Sequence, residues 1–199
     1  MNTRALRLMV IFTAFFAGLS LCLGVIALLG GRSLIGSEVQ AVPIGGPFRL
    51  TDQDGRTFTD QDLRGKSFLV FFGFTHCPDV CPTTLFEISE VMRDLGSDAD
   101  RTSALFITVD PERDTPAAMK DYLASFDPHI HGLTGDESTL AAVAKAYRVY
   151  YKKVPLAGGD YTMDHTAIVY LMDKDGRFVA PFNMKRTAEA AATDLRKRL

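Results

Sequence analysis

The chain has 199 residues, of which 47% are hydrophobic and 23% charged, and a formal net charge of −2 at pH 7. Of its 22 basic residues, three arginines (Arg4, Arg7 and Arg32) belong to the N-terminal end, which leaves 19 against 24 acidic residues and a charge of −5 for the rest. This balance argues against a nucleic acid partner. With only three cysteines, the chain is not a disulfide-built scaffold.

The N-terminal segment is apolar. No residue from Leu8 to Leu29 is charged, and these 22 residues would form about 33 Å of helix, enough to cross a bilayer. Because Arg4 and Arg7 precede the run, the positive-inside rule sends the rest of the chain across the membrane. A cleaved signal peptide is the alternative. We predict an uncleaved anchor over residues 1–32 and a Gly- and Pro-containing linker over 33–46.

Residues 47–199 carry alternating strand and helix patterns. Alternation around the turn at 52–55 predicts an N-terminal β-hairpin, and helical spacing of apolar residues marks the helices. The predicted elements are that hairpin, a strand at 68–72, a helix at 82–95, a strand at 104–109, a helix with Thr115 as N-cap, a helix at 137–148, a hairpin of 167–172 with 177–180, and a helix from Thr187. This order indicates an α/β sheet that resembles the thioredoxin fold, with ligands at the carboxyl ends of its strands.

Two cysteines follow the first central strand in the run Cys77-Pro78-Asp79-Val80-Cys81-Pro82. Pro82 fits the first turn of a helix, so Cys81 is predicted at or near the N-cap and Cys77 just outside it. The positive end of a helix favours thiolates, which bind metal or attack disulfides. A structural disulfide is the alternative, but so short a loop would add little stability.

A third group joins the cysteines if the thioredoxin correspondence holds. Thioredoxin-like proteins place a cis-proline before Thr opposite the cysteines, and here that place is taken by His165-Thr166. Two thiolates and one imidazole suit Cu(I) and, with an added ligand, Cu(II). A structural zinc site would normally use four protein ligands. The alternative is that His165 is a strand-end histidine that only forms a hydrogen bond to the backbone.

In these motifs the chain resembles the Sco/SenC family, whose members are copper-binding assembly factors of cytochrome c oxidase. The resemblance rests on residues 73–82, 109–116 and 164–166. It implies a membrane-tethered thioredoxin-like domain over 47–199 that binds one copper through Cys77, Cys81 and His165. Its partners would be oxidase subunit II, which contains the dinuclear copper centre, an upstream copper donor and a thiol reductant. The short N-terminus favours a bacterial inner membrane, with the domain in the periplasm.

Two functions remain open on the sequence alone. One is a metallochaperone without turnover chemistry. The other is a thiol-disulfide oxidoreductase in which Cys77 attacks a partner's disulfide. The wider cysteine spacing and the missing proline count against the second.

Several further residues invite a functional interpretation. Asp79 and Asp164 could tune the metal site, and an Arg113–Asp114 pair is expected to be structural. His129 and His131 could form a second metal site, although a pair of surface histidines is more common. His76 is expected to point away from the sulfurs. Basic residues around three tyrosines could form a docking patch for an acidic partner, although solvated helix charges would give the same pattern. The basic residues are Lys145, Arg148, Lys152 and Lys153, and the tyrosines are Tyr147, Tyr150 and Tyr151.

Overall fold

A computed structural model describes residues 3–30 and 43–199 of the chain. The chain divides into two units, Met1–Val42 and Pro43–Leu199. The first contains helix α1 (Thr3–Gly30), which includes the apolar run. Over the described ranges, no helix meets the length and apolarity needed to cross a membrane. Residues 33–42 of the predicted linker lie outside the described residues, whereas 43–46 fall within the second unit.

The second unit contains nine strands, four α-helices and two short 3-10 helices. The strands are β1 (Arg49–Asp52), β2 (Thr57–Thr59), β3 (Phe68–Gly73), β4 (Ser103–Thr108), β5 (Ile130–Thr134), β6 (Tyr151–Pro155), β7 (Tyr161–His165), β8 (Val169–Met172) and β9 (Phe178–Pro181). The α-helices are α2 (Val80–Leu95), α3 (Pro116–Leu123), α4 (Glu137–Ala146) and α5 (Ala188–Arg196).

Seven strands form one mixed sheet in the order β2-β1-β5-β4-β3-β8-β9, while β6 and β7 pair only with each other. The central strands β3, β4 and β5 are parallel. Every residue of β3 and β4 is buried, as expected for parallel strands covered on both faces. The predicted N-terminal hairpin is confirmed by the antiparallel pairing of β1 with β2.

Side chains of β3 alternate between the two faces of the sheet. Phe72 packs against Tyr147 and Tyr170, with ring centroids 5.4 and 6.4 Å apart. Phe71 packs on the other face against Phe106 and His165, at 6.1 and 6.3 Å. The face that holds Phe71 is therefore the one that carries the histidine predicted as a ligand.

The predicted element order lacks three strands that the structure contains. The sequence does not predict strand β5 because Gly132 interrupts its apolar pattern. This glycine lets helix α3 approach the strand, since a Cβ at position 132 would lie 2.6 Å from Leu123 Cδ1. Strands β6 and β7 form a ribbon with no fully buried residue, so they lack the alternation that marks a half-buried strand. The predicted helix at 137–148 ends earlier, at Ala146.

Helix α2 begins at Val80, with Asp79 as N-cap, and not at Pro82 as predicted. Cys81 consequently lies inside the first turn, near the N-cap as predicted but not at it. The prediction relied on Pro82 as the first helical residue, but proline is accepted throughout the first turn because those N–H groups have no partner within the helix. Thr115, the predicted cap of α3, is confirmed and accepts a hydrogen bond from the Ala118 N–H.

Candidate metal centre

Cys77, Cys81 and His165 come together in the structure. Their two sulfurs and one imidazole nitrogen all lie within 4.8 Å of one another. Thiolate and imidazole ligands bind an ion at about 2.0 to 2.3 Å, so one ion reaches all three atoms after small side-chain rotations. Within residues 3–30 and 43–199, no further histidine, cysteine or carboxylate joins this group.

The two sulfurs differ in their surroundings. The Cys77 sulfur accepts a hydrogen bond from the Cys81 backbone N–H at 3.4 Å. The side chain of the N-cap residue Asp79 makes no capping hydrogen bond. The Cys77 sulfur therefore takes the place of a capping oxygen at the N-terminus of α2. The sequence predicts that the helix end favours thiolates at both cysteines, and at Cys77 the sulfur does contact an N–H group of that helix end.

Cys81 does not follow that prediction in the metal-free protein. It is completely buried, and burial raises the pKa of its thiol far above the ordinary range, an effect that a backbone hydrogen bond from Phe74 only partly opposes. Desolvation penalises the charged form more than the helix end favours it. Cys81 is thus a neutral thiol, which would have to lose its proton to bind a cation.

His165 is the last residue of β7, and its ring is oriented by the backbone. Its Nδ1 lies 3.2 Å from the Thr166 carbonyl oxygen, which can only accept a hydrogen bond. Nδ1 therefore carries the proton, and the Nε2 lone pair faces the Cys81 sulfur at 3.6 Å. Burial lowers the pKa of His165, against the effects of the Thr166 carbonyl and the Asp164 charge. The ring is a neutral imidazole, the form that binds metals.

The ribbon of β6 and β7 holds His165 in position. Tyr151 on β6 pairs with His165, and the ribbon is attached to the segment after β4 through Tyr161. The Tyr161 hydroxyl donates to Asp110 Oδ1 at 2.8 Å. Arg113 donates to the Tyr161 carbonyl at 3.0 Å and lies 3.7 Å from the centroid of the Tyr161 ring. These contacts place the ribbon, and His165 with it, against the cysteine loop.

The cysteine loop is anchored by Asp114. This carboxylate is fully buried and accepts hydrogen bonds from the Thr75 backbone N–H and hydroxyl, at 3.2 and 2.6 Å, and from the Thr108 hydroxyl at 2.5 Å. The predicted pairing of Arg113 with Asp114 is wrong. Arg113 pairs with Asp110 instead, because Asp114 faces the sheet and the loop.

Gly73, the last residue of β3, leaves the space in which the cluster forms. A Cβ at this position would lie 2.6 Å from Phe106 Cε2 and 2.8 Å from Cys81 Sγ. Both distances are shorter than any normal contact. Only glycine therefore allows the Cys81 sulfur and the Phe106 ring to meet beside the strand.

The remaining sequence candidates lie away from the cluster or have structural partners. The His129 ring contacts Asp127 and Asp100, and the His131 ring packs against Phe58, so the two do not form a second metal group within the described residues. His76 is exposed and bonds the Thr75 hydroxyl.

One tyrosine of the predicted docking patch does not reach the surface, whereas its four basic residues are exposed. The Tyr147 ring is buried in the core, where it cannot contribute to a surface. Lys153 contacts Glu112 at 2.6 Å and lies over the Tyr161 ring. Its charge thus supports the ribbon that carries His165.

Comparison with known proteins identifies the family. The SCO1/SenC family model matches residues 36–199. The chain belongs to the SCO1/SenC family. It is 41% identical over 150 residues to the SCO2-like protein RP587 of Rickettsia prowazekii, covering 74% of this chain and 73% of that protein. It is 45% identical over 154 residues to human SCO1 homolog, mitochondrial, covering 75% of this chain but only 51% of the human protein.

Solved structures of Sco proteins share the fold. Copper-bound ScoI of Bradyrhizobium japonicum is 67% identical, with a TM-score of 0.77 over 78% of this chain and 99% of that one. Copper-bound yeast Sco1 is 39% identical, with a TM-score of 0.71 over 78% of this chain and 87% of that one. The predicted thioredoxin-like α/β fold of this Sco-family chain is thereby confirmed.

The sequence reasoning missed the roles of three residues of the site. Gly73 and Tyr161 matter through contacts with residues distant in the chain, which no local pattern reveals. Asp114 was noted, but with the wrong partner. The motif Asp-Pro-Glu-Arg-Asp-Thr-Pro at residues 110–116 drew attention to this segment, and only the fold shows that its second aspartate, Asp114, faces the cysteine loop.

Proposed function

We propose that this chain binds one copper ion through Cys77, Cys81 and His165 and acts as a copper chaperone in the assembly of the dinuclear copper centre of cytochrome c oxidase subunit II. The observation that carries the proposal is the convergence of two sulfurs and one imidazole nitrogen within 4.8 Å. A soft set of three ligands suits Cu(I). The copper-bound ScoI that is 67% identical to this chain supports the choice of metal.

The three-ligand arrangement suits a copper ion that the protein must release to a partner. Three protein ligands leave a coordination position open, and a partner's thiolate or imidazole can enter there before the original ligands detach. Cys81 is completely buried, whereas Cys77 is 9% exposed and His165 is partly exposed. Transfer is therefore expected to begin on the side of Cys77 and His165, with Cys81 the last ligand to release the ion.

The proposal includes a membrane tether and a compartment. The uncharged run Leu8–Leu29, helical within α1, supports an N-terminal anchor in a bacterial inner membrane with the second unit in the periplasm. In an oxidising compartment the cysteines would need an upstream thiol reductant before they could take copper from a donor.

The second candidate function is reduction of a partner's cysteines. The free thiols and the helix end beside Cys77 support it. Cys77 thiolate would attack the partner's disulfide and form a mixed disulfide. Cys81 would then displace the partner as a dithiol and leave a Cys77–Cys81 disulfide, with two electrons passed to the partner. The buried neutral thiol of Cys81 argues against fast resolution of that intermediate.

The two functions respond differently to His165→Ala. The full-length chain in detergent, reduced and loaded with one Cu(I), is mixed with the metal-free copper domain of subunit II, and both copper transfer and reduction of oxidised subunit II cysteines are followed. A chaperone loses transfer in His165→Ala while thiol exchange continues. His76→Ala is the matched control, because His76 is an exposed imidazole next to Cys77. Equal transfer by wild type and His165→Ala would refute the chaperone proposal.

A further inference from the structure

Arg148 has a backbone conformation that favours glycine. It follows helix α4 at the C′ position of a Schellman motif, in which the Val149 N–H donates to the Ala144 carbonyl at 2.8 Å. The Arg148 N–H donates to the Lys145 carbonyl at 3.2 Å. Among residues 3–30 and 43–199, Arg148 is the one non-glycine residue with a positive φ, which is 59°. A side chain at this position costs conformational energy that glycine would avoid.

The fold makes no use of the Arg148 side chain. This side chain is exposed. In the part of the chain that the structure describes, ion pairs involve Arg113 and Lys153 but not Arg148, whose guanidinium also donates no hydrogen bond and lies over no aromatic ring. Strained residues persist chiefly where a functional site requires them. The charge of Arg148 is therefore available to a partner.

Tyr150 presents an exposed aromatic ring beside the metal centre. Thr166, which follows His165, donates its N–H to the Tyr150 carbonyl at 2.9 Å, and its hydroxyl oxygen accepts from the Tyr150 N–H at 3.1 Å. This pairing keeps the Cα atom of Tyr150 within about 10 Å of that of His165. The Tyr150 side chain is nevertheless 56% exposed. Arg148 lies two residues away from Tyr150, at a Cα distance of at most about 7 Å.

Under the proposed function, a copper acceptor covers this face. The acceptor's ligand must come within bonding distance of an ion held by Cys77 and His165. Even a transient interface buries about 600 Å² on each partner, which corresponds to a disc of about 14 Å radius. Tyr150 lies inside such a disc, and Arg148 lies at its rim.

Two other apolar side chains on this face are also exposed. Val80 is next to Cys81, and Ile168 is three residues after His165. With Tyr150 they make up half of the large apolar side chains exposed in residues 43–199; the others are Phe86, Leu156 and Val179. Exposed apolar side chains that gather around a site mark an interaction surface.

We propose that Arg148 and Tyr150 form the docking site for the copper acceptor, with Arg148 paired to a carboxylate of an acidic surface and the Tyr150 ring packed against an apolar group. This inference rests on the proposed function. Lys145 is exposed and has no ion pair among the described residues, whereas Lys152 lies directly opposite Asp164 on β7. The charge beside Tyr150 is therefore positive and complements an acidic partner. Tyrosine and arginine are also the residue types that dominate binding at interfaces.

The test compares wild type with Arg148→Gly, which removes the charge and suits the left-handed backbone. The full-length chain in detergent is loaded with one Cu(I) and mixed with the metal-free copper domain of subunit II. The transfer rate at low salt is expected to fall about fivefold in Arg148→Gly and to depend less on salt. The Cu(I) affinity should stay unchanged, and the denaturation midpoint of the metal-free protein should rise, because glycine relieves the strain. Arg64→Gly is the matched control, since Arg64 is exposed and precedes β3, at the end of the strand opposite the cysteines.

Transfer to an uncharged small-molecule Cu(I) chelator separates docking from release of the ion. Wild type, Arg148→Gly and Tyr150→Ala should give copper to the chelator at the same rate, while Tyr150→Ala transfers it to subunit II about tenfold more slowly. An equally slowed transfer to the chelator would overturn the proposal, because the residues would then act on the metal centre.

Two further outcomes separate this inference from the proposed function. A wild-type rate of transfer to subunit II in Arg148→Gly, or an equal loss in Arg64→Gly, would overturn the docking site alone. If wild type itself transfers no copper to subunit II, the proposed function fails and this inference fails with it.

Discussion

The Cys81 sulfur lies 3.6 Å from His165 Nε2, although 84 residues separate the two in the chain. Helix α2 positions the first and the ribbon of β6 and β7 positions the second. The ribbon pairs with no strand of the main sheet. Assembly of the centre therefore depends on a small number of side-chain contacts, and each of them can be tested.

Gly73→Ala is expected to damage both stability and metal binding. The added methyl group would lie 2.6 Å from Phe106 Cε2 and 2.8 Å from Cys81 Sγ. Such overpacking typically costs about 1 to 3 kcal/mol, and here it also displaces a sulfur of the candidate site. Denaturant unfolding and copper titration measure the two effects. Gly46→Ala is the control, because its nearest contact would be an ordinary 3.9 Å to Ala146 Cβ. Equal behaviour of the two variants would contradict the packing account.

Tyr161→Phe is expected to loosen the ribbon that carries His165. The substitution removes the hydroxyl that donates to Asp110 at 2.8 Å. Loss of a hydrogen bond to a charged acceptor costs about 1.5 to 3 kcal/mol. Copper should dissociate faster from the variant, as followed by transfer to a chelator. Tyr150→Phe serves for comparison, since Tyr150 is 56% exposed. An unchanged dissociation rate in Tyr161→Phe would show that this contact does not position His165.

Cys81 is expected to react slowly with alkylating reagents in the metal-free protein. Its thiol is completely buried, and burial raises its pKa, so little thiolate is available at pH 8. We expect alkylation at least about tenfold slower than in the urea-unfolded chain, where the thiol has its ordinary pKa. Mass spectrometry of iodoacetamide-treated protein measures the rate at each cysteine. Rapid labelling of Cys81 in the folded chain would contradict the neutral, buried thiol.

His129 is expected to give the domain a small pH-dependent stability. Burial opposes protonation of the ring, but hydrogen bonds to Asp100 and Asp127 outweigh it and raise the pKa of His129 above 6.5. The folded state then holds the proton more tightly than the unfolded state. This stabilisation is complete below pH 6.5 and is lost as the pH rises through the folded-state pKa. Because Asp100 is 84% exposed, the effect should stay below about 1 kcal/mol.

Unfolding free energies of wild type and His129→Gln at several pH values test this prediction. The difference between the two proteins should be larger at pH 5.5 than at pH 8.5. A difference that does not change with pH would show that the His129 contacts with Asp100 and Asp127 do not depend on its charge.

The sequence was most informative where local chemistry decides the structure. Apolar runs located the central strands β3 and β4, and Thr115 was located as the residue that caps α3. The last helix was predicted from Thr187, which the structure shows to be the N-cap of α5. The cysteine spacing and His165 pointed to the three groups that the fold brings together. Strands β6 and β7 were missed, because a ribbon without a buried face has no periodic signal.

Contacts between distant residues could not be predicted. The pKa of the Cys81 thiol depends on its burial beside Phe106 and Gly73. A helix N-terminus near a thiol does not reveal that burial. Likewise, the bond from Tyr161 to Asp110 joins residues 51 positions apart. The sequence contains the residues for such contacts, but only the fold decides which of them meet.

The copper stoichiometry and affinity of the reduced full-length chain, for Cu(I) and Cu(II), test the central claim most directly when wild type is compared with His165→Ala and His76→Ala. The account predicts one tightly bound copper in wild type and His76→Ala, and an affinity for copper that falls steeply in His165→Ala. Absence of tight binding in wild type, or equal affinity in His165→Ala, would contradict the three-ligand site.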